Sequence, residues 1–231
     1  MARAWQLSDR WKRGAAALLL VLAGGVLSRA SPEPQGTPSL EALLGHFAAS
    51  PGLRAAVEEE KHISLLREPL VSHGTIAFVP PGLLVRVIDE PVSSLLVIDA
   101  DGLRYEADGQ QGALEIRAHP MLRALVDGMR HLFAGDADAL RSAFEITWAV
   151  DAEDPMAWRL DLRPRDEATR DRVSRLEIRG RGWSLGTLRV VEAAGDETLM
   201  RFSDVEMHHV FDEAEIAELL ASVTGTGNAD R

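Results

Sequence analysis

The chain opens its regular pattern with a helical stripe. Leu40, Leu43, Leu44 and Phe47 recur at three- and four-residue spacing, Ser39 stands where an N-cap is needed, and Pro51-Gly52 ends the run. From Leu53 the period becomes two. Val57, Glu59, Lys61, Ile63 and Leu65 fall on one side of a long strand that is polar at its start and apolar at its end. Pro69 interrupts it, and Ile76 and Phe78 then alternate with Thr75, Ala77 and Val79. Neither proline of Pro80-Pro81-Gly82 can donate to a ladder, so this triplet predicts a turn. The stretch from Lys61 to Ile88 therefore reads as two apolar-rich strands meeting at that turn.

Short strands follow at "LLVRVI" (Leu83 to Ile88), "SLLVI" (Ser94 to Ile98), "LRYEA" (Leu103 to Ala107) and "ALEIR" (Ala113 to Arg117). Glu90-Pro91, Asp101-Gly102 and the segment Gly109 to Gly112 separate them, and Asp-Gly between two apolar runs is a strong hairpin signal. Such regular spacing predicts an antiparallel meander of sequential neighbours. The pattern then returns to helical spacing from Pro120 to Phe133, with Gly135 as the stop and a shorter helix from Asp136 to Ala143. Strands resume with strict alternation at Phe144, Ile146, Trp148 and Val150, turn at Asp154-Pro155, and continue with Trp158, Leu160 and Leu162. Two or three more are expected between Arg175 and Met207, with turns at Gly180 to Gly182 and at Gly195-Asp196. A last amphipathic helix starts near Asp212, with Glu215 placed to complete a capping box, and runs through Ile216, Leu219, Leu220 and Val223. The expected fold is mainly β, about ten antiparallel strands with helices at the start, middle and end. A sheet of that size curls, and the middle helix must bury its stripe against it.

The first thirty residues change the compartment. Arg3, Arg10, Lys12 and Arg13 precede an uncharged apolar run of fourteen residues, Gly14 to Leu27, and Ser28-Arg29-Ala30 offers small residues at a cleavage site. This layout predicts a cleavable secretory signal peptide over residues 1–30 and a single domain over 31–231. The apolar run is shorter than the roughly 20 residues of a membrane-spanning helix, so no permanent anchor is expected. The chain has no cysteine, which excludes N-terminal lipidation of this protein, disulfides and thiolate metal sites. Of its 25 basic and 36 acidic residues, the first thirty hold five and one, which leaves 20 and 35, net −15, after cleavage. An acidic chain whose only lysine beyond residue 30 is Lys61 is poorly suited to nucleic acid or anionic headgroups.

Candidate chemistry is sparse. His208 and His209 are adjacent, so on a strand they would face opposite ways, and His46, His62, His73, His119 and His131 lack ligand spacing. Glu58, Glu60 and His62 share one strand face, a pattern compatible with acid–base work and equally with a solvated face. Ser72 and Ser203 have no nucleophile-elbow context, and Asp99 and Asp101 suit a hairpin for turn reasons alone. Gly180-x-Gly182 is too short for a phosphate loop. No catalytic set, cofactor or metal is expected. What remains is the apolar strand wall, and pattern alone leaves open whether it is plain core or the lining of a ligand cavity.

The ordered motifs bear on that choice. The export signal, the Leu40–Phe47 helix, the strand pair "VEEEKHISLLREPLVSHGTIAFVPPGLL" with its His73-Gly74 pair and an aromatic before Pro-Gly, and the hairpin "LLVIDADGLRYE" together resemble the periplasmic outer-membrane lipoprotein carriers, the LolA-like family. The resemblance is clearest from Val57 to Glu106 and weaker as far as Met207. It implies an incomplete, half-open antiparallel barrel whose helices cover an apolar cavity. It also implies a periplasmic carrier, expected as a monomer, that shields the acyl chain of a lipoprotein or another lipid between an inner-membrane donor transporter and an outer-membrane acceptor. The alternative is a non-transporting periplasmic β-barrel module that scaffolds a cell-envelope complex. The family pattern "R-P-G-x-F-R-W" falls on Pro80 to Arg86, where Pro80 and Val85 replace the two arginines and Arg86 is offset by one. The longer segment Leu66 to Ser72 also points to a divergent branch. From the strands with the best-defined apolar face, the expected lipid-binding wall comprises Ile76, Phe78, Leu96, Ile98, Ile146 and Trp148. Met121, Leu125 and Met129 of the middle helix, the expected lid, complete the lipid-binding set, and its two methionines bring flexible thioethers that adapt to varied apolar partners.

Overall fold

A computed structural model of the protein describes residues 38–99, 102–107, 109–114 and 120–221, without the side chains of 114, 120–122 and 125. The expected signal peptide over residues 1–30 and Val223 of the last helix lie outside the described residues.

Eleven strands form one antiparallel sheet that does not close into a barrel. In chain order they are β1 (Leu53–His62), β2 (Leu70–Val79), β3 (Leu83–Glu90), β4 (Ser94–Ile98), β5 (Leu103–Ala107), β6 (Gln110–Leu114), β7 (Phe144–Val150), β8 (Ala157–Pro164), β9 (Val173–Arg181), β10 (Ser184–Glu192) and β11 (Glu197–Glu206). The spatial order is β6-β5-β4-β3-β2-β1-β11-β10-β9-β8-β7. Each half is a meander of hairpins, as the turn spacing predicts, and the pairing of β1 with β11 joins the halves. Strands β6 and β7 are consecutive in the chain yet lie at opposite edges. The chain between them must therefore cross the sheet, and it does so with two helices, α2 (Pro120–Phe133) and α3 (Ala137–Ala143). The other helices are α1 (Leu40–Ala48), α4 (Glu167–Arg170) and α5 (Glu213–Ala221).

Local chemistry accounts for most helix ends. Ser39 Oγ accepts from Ala42 N at 3.1 Å to cap α1, and Asp136 Oδ1 accepts from Ala139 N at 2.9 Å to cap α3. Gly135, at φ +65°, ends α2, with its own N–H donating to Leu132 O and that of Asp136 to His131 O. A Cβ there would meet Ala48 Cβ and Leu44 O at 2.5 Å, so the same glycine lets α2 end against α1. Asp212 caps α5 by accepting from Glu215 N at 2.8 Å. The expected capping box is incomplete, because Glu215 Oε1 instead accepts from Arg54 at 2.9 Å and meets His209 Nε2 at 2.8 Å.

Four further sequence expectations need correction. Strand β6 begins at Gln110, so Gly109 to Gly112 is not a separating turn: Gln111 and Gly112 pair with Glu106 and Tyr105 in the ladder. Strand β1 ends at His62, so Ile63 and Leu65 do not continue it; Leu65 is 92% exposed in the connecting turn. Strand β2 already begins at Leu70, which confines the connection to residues 63–69. Gly180 is not in a turn. It pairs with Leu185 and Trp158 inside the sheet, and a Cβ on it would lie 2.2 Å from both Ser184 O and Trp158 Cζ2. The glycine is there because the Trp158 indole lies across the strand; the turn itself falls at Gly182, φ +57°.

The sheet has two apolar faces of unequal size. One carries Leu53, Ala55 and Val57 of β1, Ile76 and Phe78 of β2, and Leu160, Leu162, Leu176, Ile178 and Leu188 of the far half, buried in one cluster with Leu43, Phe47, Met129, Leu132, Phe133 and Leu140 of α1 to α3. This is the inner face of the sheet. The smaller cluster lies on the opposite face, where Ala77, Val85, Val87, Leu95 and Val97 are buried with Leu219 of α5.

Candidate functional site

The inner face is built by parity. Along β1, β2, β3 and β4 the paired rows are Leu53–Phe78–Leu84–Ile98 and Ala55–Ile76–Arg86–Leu96, and directly paired residues share a face. The doubly apolar "SLLVI" is thereby resolved. Leu96 and Ile98 belong inside, whereas Leu95 and Val97 lie under α5. In the other half the rows Ile146–Leu162–Leu176 and Trp148–Leu160–Ile178 continue the same face.

Of the lipid-binding residues expected from the sequence, Ile76, Phe78, Ile98 and Met129 are buried in the inner cluster, and Leu96, Ile146 and Trp148 pack half-buried against it. The side chains of Met121 and Leu125 lie outside the described ones. The selected residues form two groups. Strands β2 and β7 are six strand positions apart in the sheet order, about 29 Å on a flat sheet, so only the curl and the crossing helices relate them.

The centre of the face is filled by aromatic rings. Phe133 of α2 lies 4.9 Å, centroid to centroid, from Phe78 of β2 and 5.7 Å from Phe47 of α1. Phe47 and Phe133 are absent from the sequence-selected wall, although both sit in the helical stripes that mark buried faces. At the β7 side, Trp148 stacks on Trp158 at 5.4 Å and 23°, and Trp158 Nε1 donates to Gly182 O at 2.8 Å. Helix α2 is further tied down by Arg123, whose Nη2 donates to Asp166 Oδ2 at 2.5 Å and Thr169 Oγ1 at 2.7 Å. That guanidinium adds to the two hydrogen bonds from Thr169, which hold the Asp166 carboxyl below its ordinary range.

One ion pair interrupts the apolar face. Arg86 Nη2 donates to Glu59 Oε2 at 2.7 Å, with side-chain exposures of 20% and 15%. Arg86 is opposite Ile76 and Leu96, and Glu59 is opposite Met200. Arg86 is thus an inward residue, whereas Val85, aligned with a family arginine, faces α5. Nothing in the one-letter pattern marks the pair, because its partners are 27 positions apart and meet only through the β1–β2–β3 register.

The other polar candidates have structural partners. Glu58 and Glu60 are bridged by Arg201, which donates to them at 2.9 and 2.8 Å on the outer face. Asp99 Oδ1 accepts from Gly102 N within the hairpin and Oδ2 from Arg104 at 2.7 Å. His208 and His209 part company. The first stacks edge-on against His46 at 4.8 Å, and the second sits between Glu206 and Glu215. Among the described residues no group of three or more His, Asp or Glu side chains is placed to hold a metal ion, and no helix is long and apolar enough to cross a membrane.

The family described as outer membrane lipoprotein carrier protein LolA-like matches residues 37–218. The chain belongs to this family. An outer membrane lipoprotein-sorting protein domain from Vibrio parahaemolyticus is similar in structure, with 12% identity over 78% of this chain and 97% of its own, at a TM-score of 0.44. A LolA superfamily protein from Nitrosomonas europaea shares 8% identity over 76% of this chain and 96% of its own, with a TM-score of 0.40. LprF from Mycobacterium bovis shares 12% identity over 77% of this chain and all of its own, with a TM-score of 0.33. No curated protein sequence is significantly similar to the chain.

Proposed function

We propose that this LolA-like protein is a periplasmic carrier that shields an acyl chain of a lipoprotein, or of another lipid, on its inner face and hands it towards the outer membrane. The supporting observation is the inner face itself. An open sheet is apolar across both halves, and helices that cross from one sheet edge to the other cover it. Each CH₂ group moved from water onto such a face is worth about 0.8 kcal/mol, so retention needs no catalytic group. The half-buried flank positions Leu96, Ile146 and Trp148 are where a chain gains contact without displacing the central rings. In this reading the N-terminal segment directs export, an inner-membrane transporter loads the cargo and an outer-membrane acceptor receives it. Helix α2 is the cover that moves, since its Met129, Leu132 and Phe133 are what the sheet would lose on opening.

Mass spectrometry of organic extracts from protein purified out of the periplasm tests the proposal. Acylated species that co-purify stoichiometrically and are lost when Trp148 and Leu96 are replaced by serine are the expected result. A lipid-free protein that takes up no acyl probe from mixed micelles would overturn it and favour the scaffolding alternative.

A further inference from the structure

The geometry points to the Glu59–Arg86 pair as a polar subsite of the inner face that receives the carbonyl oxygen of an ester- or amide-linked acyl group. The inference rests on the carrier reading and names the chemical class of its cargo. The pair is the one salt bridge of the described residues whose two side chains are both below a quarter exposed without a histidine. It is set among Ile76, Leu96 and Met200, where a charge pair has little to gain over apolar side chains unless it is used. Only one edge of the Arg86 guanidinium is engaged. Its Nη2 binds Glu59, while its Nε–H is buried and has no acceptor among the described residues. A buried donor without an acceptor is costly, so a ligand that brings one is favoured by the removal of that cost.

The register explains why the arginine can lie there. From Arg86 of β3 to Glu59 of β1 the diagonal crosses β2 at Gly74, which pairs with Val57 on one side and Ile88 on the other. A Cβ at Gly74 would stand 1.9 Å from Val87 O, so the position admits no side chain to compete with the guanidinium stem. The Arg86 side chain keeps a fifth of its surface exposed, beside its cross-strand neighbour Leu96, so the head of the guanidinium lies within reach of a chain laid along that flank.

Charge selects the acceptor. The pair is neutral as a unit, with Glu59 already balancing Arg86. A free carboxylate or phosphate arriving at Nε would be brought close to the Glu59 carboxylate and repelled by it. A carbonyl oxygen supplies the same hydrogen bond with no net charge. The pair therefore favours an acyl chain still attached through an ester or amide over the free acid.

The test compares three hexadecyl-chain probes on the whole folded protein: 1-palmitoylglycerol, its ether analogue 1-O-hexadecylglycerol, and palmitate at neutral pH. Wild type is expected to bind the ester roughly tenfold tighter than the ether, the effect of one hydrogen bond to a charged donor. Palmitate is expected to bind more weakly than the ester. The double variant Glu59→Gln with Arg86→Met, which removes both charges together, should bind ester and ether equally, at the wild-type ether affinity. If that variant does not fold, Arg86→Lys serves instead, since lysine keeps the charge but lacks Nε and should lose the ester preference. Equal affinities for ester and ether in wild type would overturn the subsite, as would a preference that persists in the variant that folds. Palmitate binding tighter than the ester would overturn the carbonyl assignment. Failure of folded wild type to bind any of the three probes would instead overturn the carrier reading on which the subsite depends.

Discussion

Replacing Phe133 by alanine isolates the contact through which helix α2 is docked. The ring is buried among Phe47, Phe78, Met129 and Leu132, at 5.7 and 4.9 Å from the two neighbouring rings. Truncating a buried phenylalanine costs about 3–5 kcal/mol from lost transfer energy and the cavity left behind. Two aromatic pairs, each worth about 0.5–1.5 kcal/mol beyond area, place this site towards the upper end. If α2 is a cover that opens as a unit, the cost falls on its docking equilibrium. Amides from Ala124 to Phe133 should then exchange with deuterium between about a hundredfold and a few thousandfold faster. Amides of β9 and β10 should keep their wild-type rates. A cycle with Phe78→Leu should return a coupling of roughly 0.5–1.5 kcal/mol in the α2 opening energy. Equal acceleration of helix and sheet amides would refute the reasoning, because α2 would then belong to the same cooperative unit as the sheet.

Three further outcomes are expected. Trp148→Ser, at a half-buried position on the edge strand, should leave the far-ultraviolet spectrum unchanged and weaken capture of an acyl probe roughly tenfold, the worth of one or two CH₂ contacts; unchanged capture would remove β7 from the wall. Gly180→Ala should lower the urea midpoint by the equivalent of about 1–3 kcal/mol, since backbone at Ser184 and the Trp158 ring cannot both retreat, whereas Gly186→Ala, with its nearest neighbour at 3.4 Å, should be tolerated. The hydrogen bond from His209 to Glu215, aided by Glu206, raises the His209 pKa above its ordinary 6.5. Its stabilisation of α5 is therefore fully present below about pH 6.5 and is lost as pH rises through the higher folded value. The gap in urea midpoint between wild type and His209→Gln should shrink over that rise, and a gap that widened would reverse the assignment.

Where alternation is one-sided, the chain alone specifies its structure. Phe144, Ile146, Trp148 and Val150 can bury only one face, and the stripe from Met129 to Phe133 can bury only as a helix, so these elements follow from period and burial without knowledge of their partners. The caps at Ser39, Asp136 and Asp212 are equally local, because an N-cap answers to backbone donors two or three residues away. The tertiary structure decided whatever depends on what covers a surface. "SLLVI" is apolar on both faces, and only the docking of α5 on one side and the crossing of α2 and α3 on the other assign Leu95 outward and Leu96 inward. Ile63 and Leu65 keep the strand period yet leave the sheet after His62, since period continues to be readable where pairing has ended. Gly180 carries a turn residue's identity for a different cause, an indole from the neighbouring strand. The Glu59–Arg86 pair is the clearest case, for neither residue is unusual by itself. They become a polar site because antiparallel register brings positions 27 apart onto one face, and register is set by the whole sheet rather than by any segment of it.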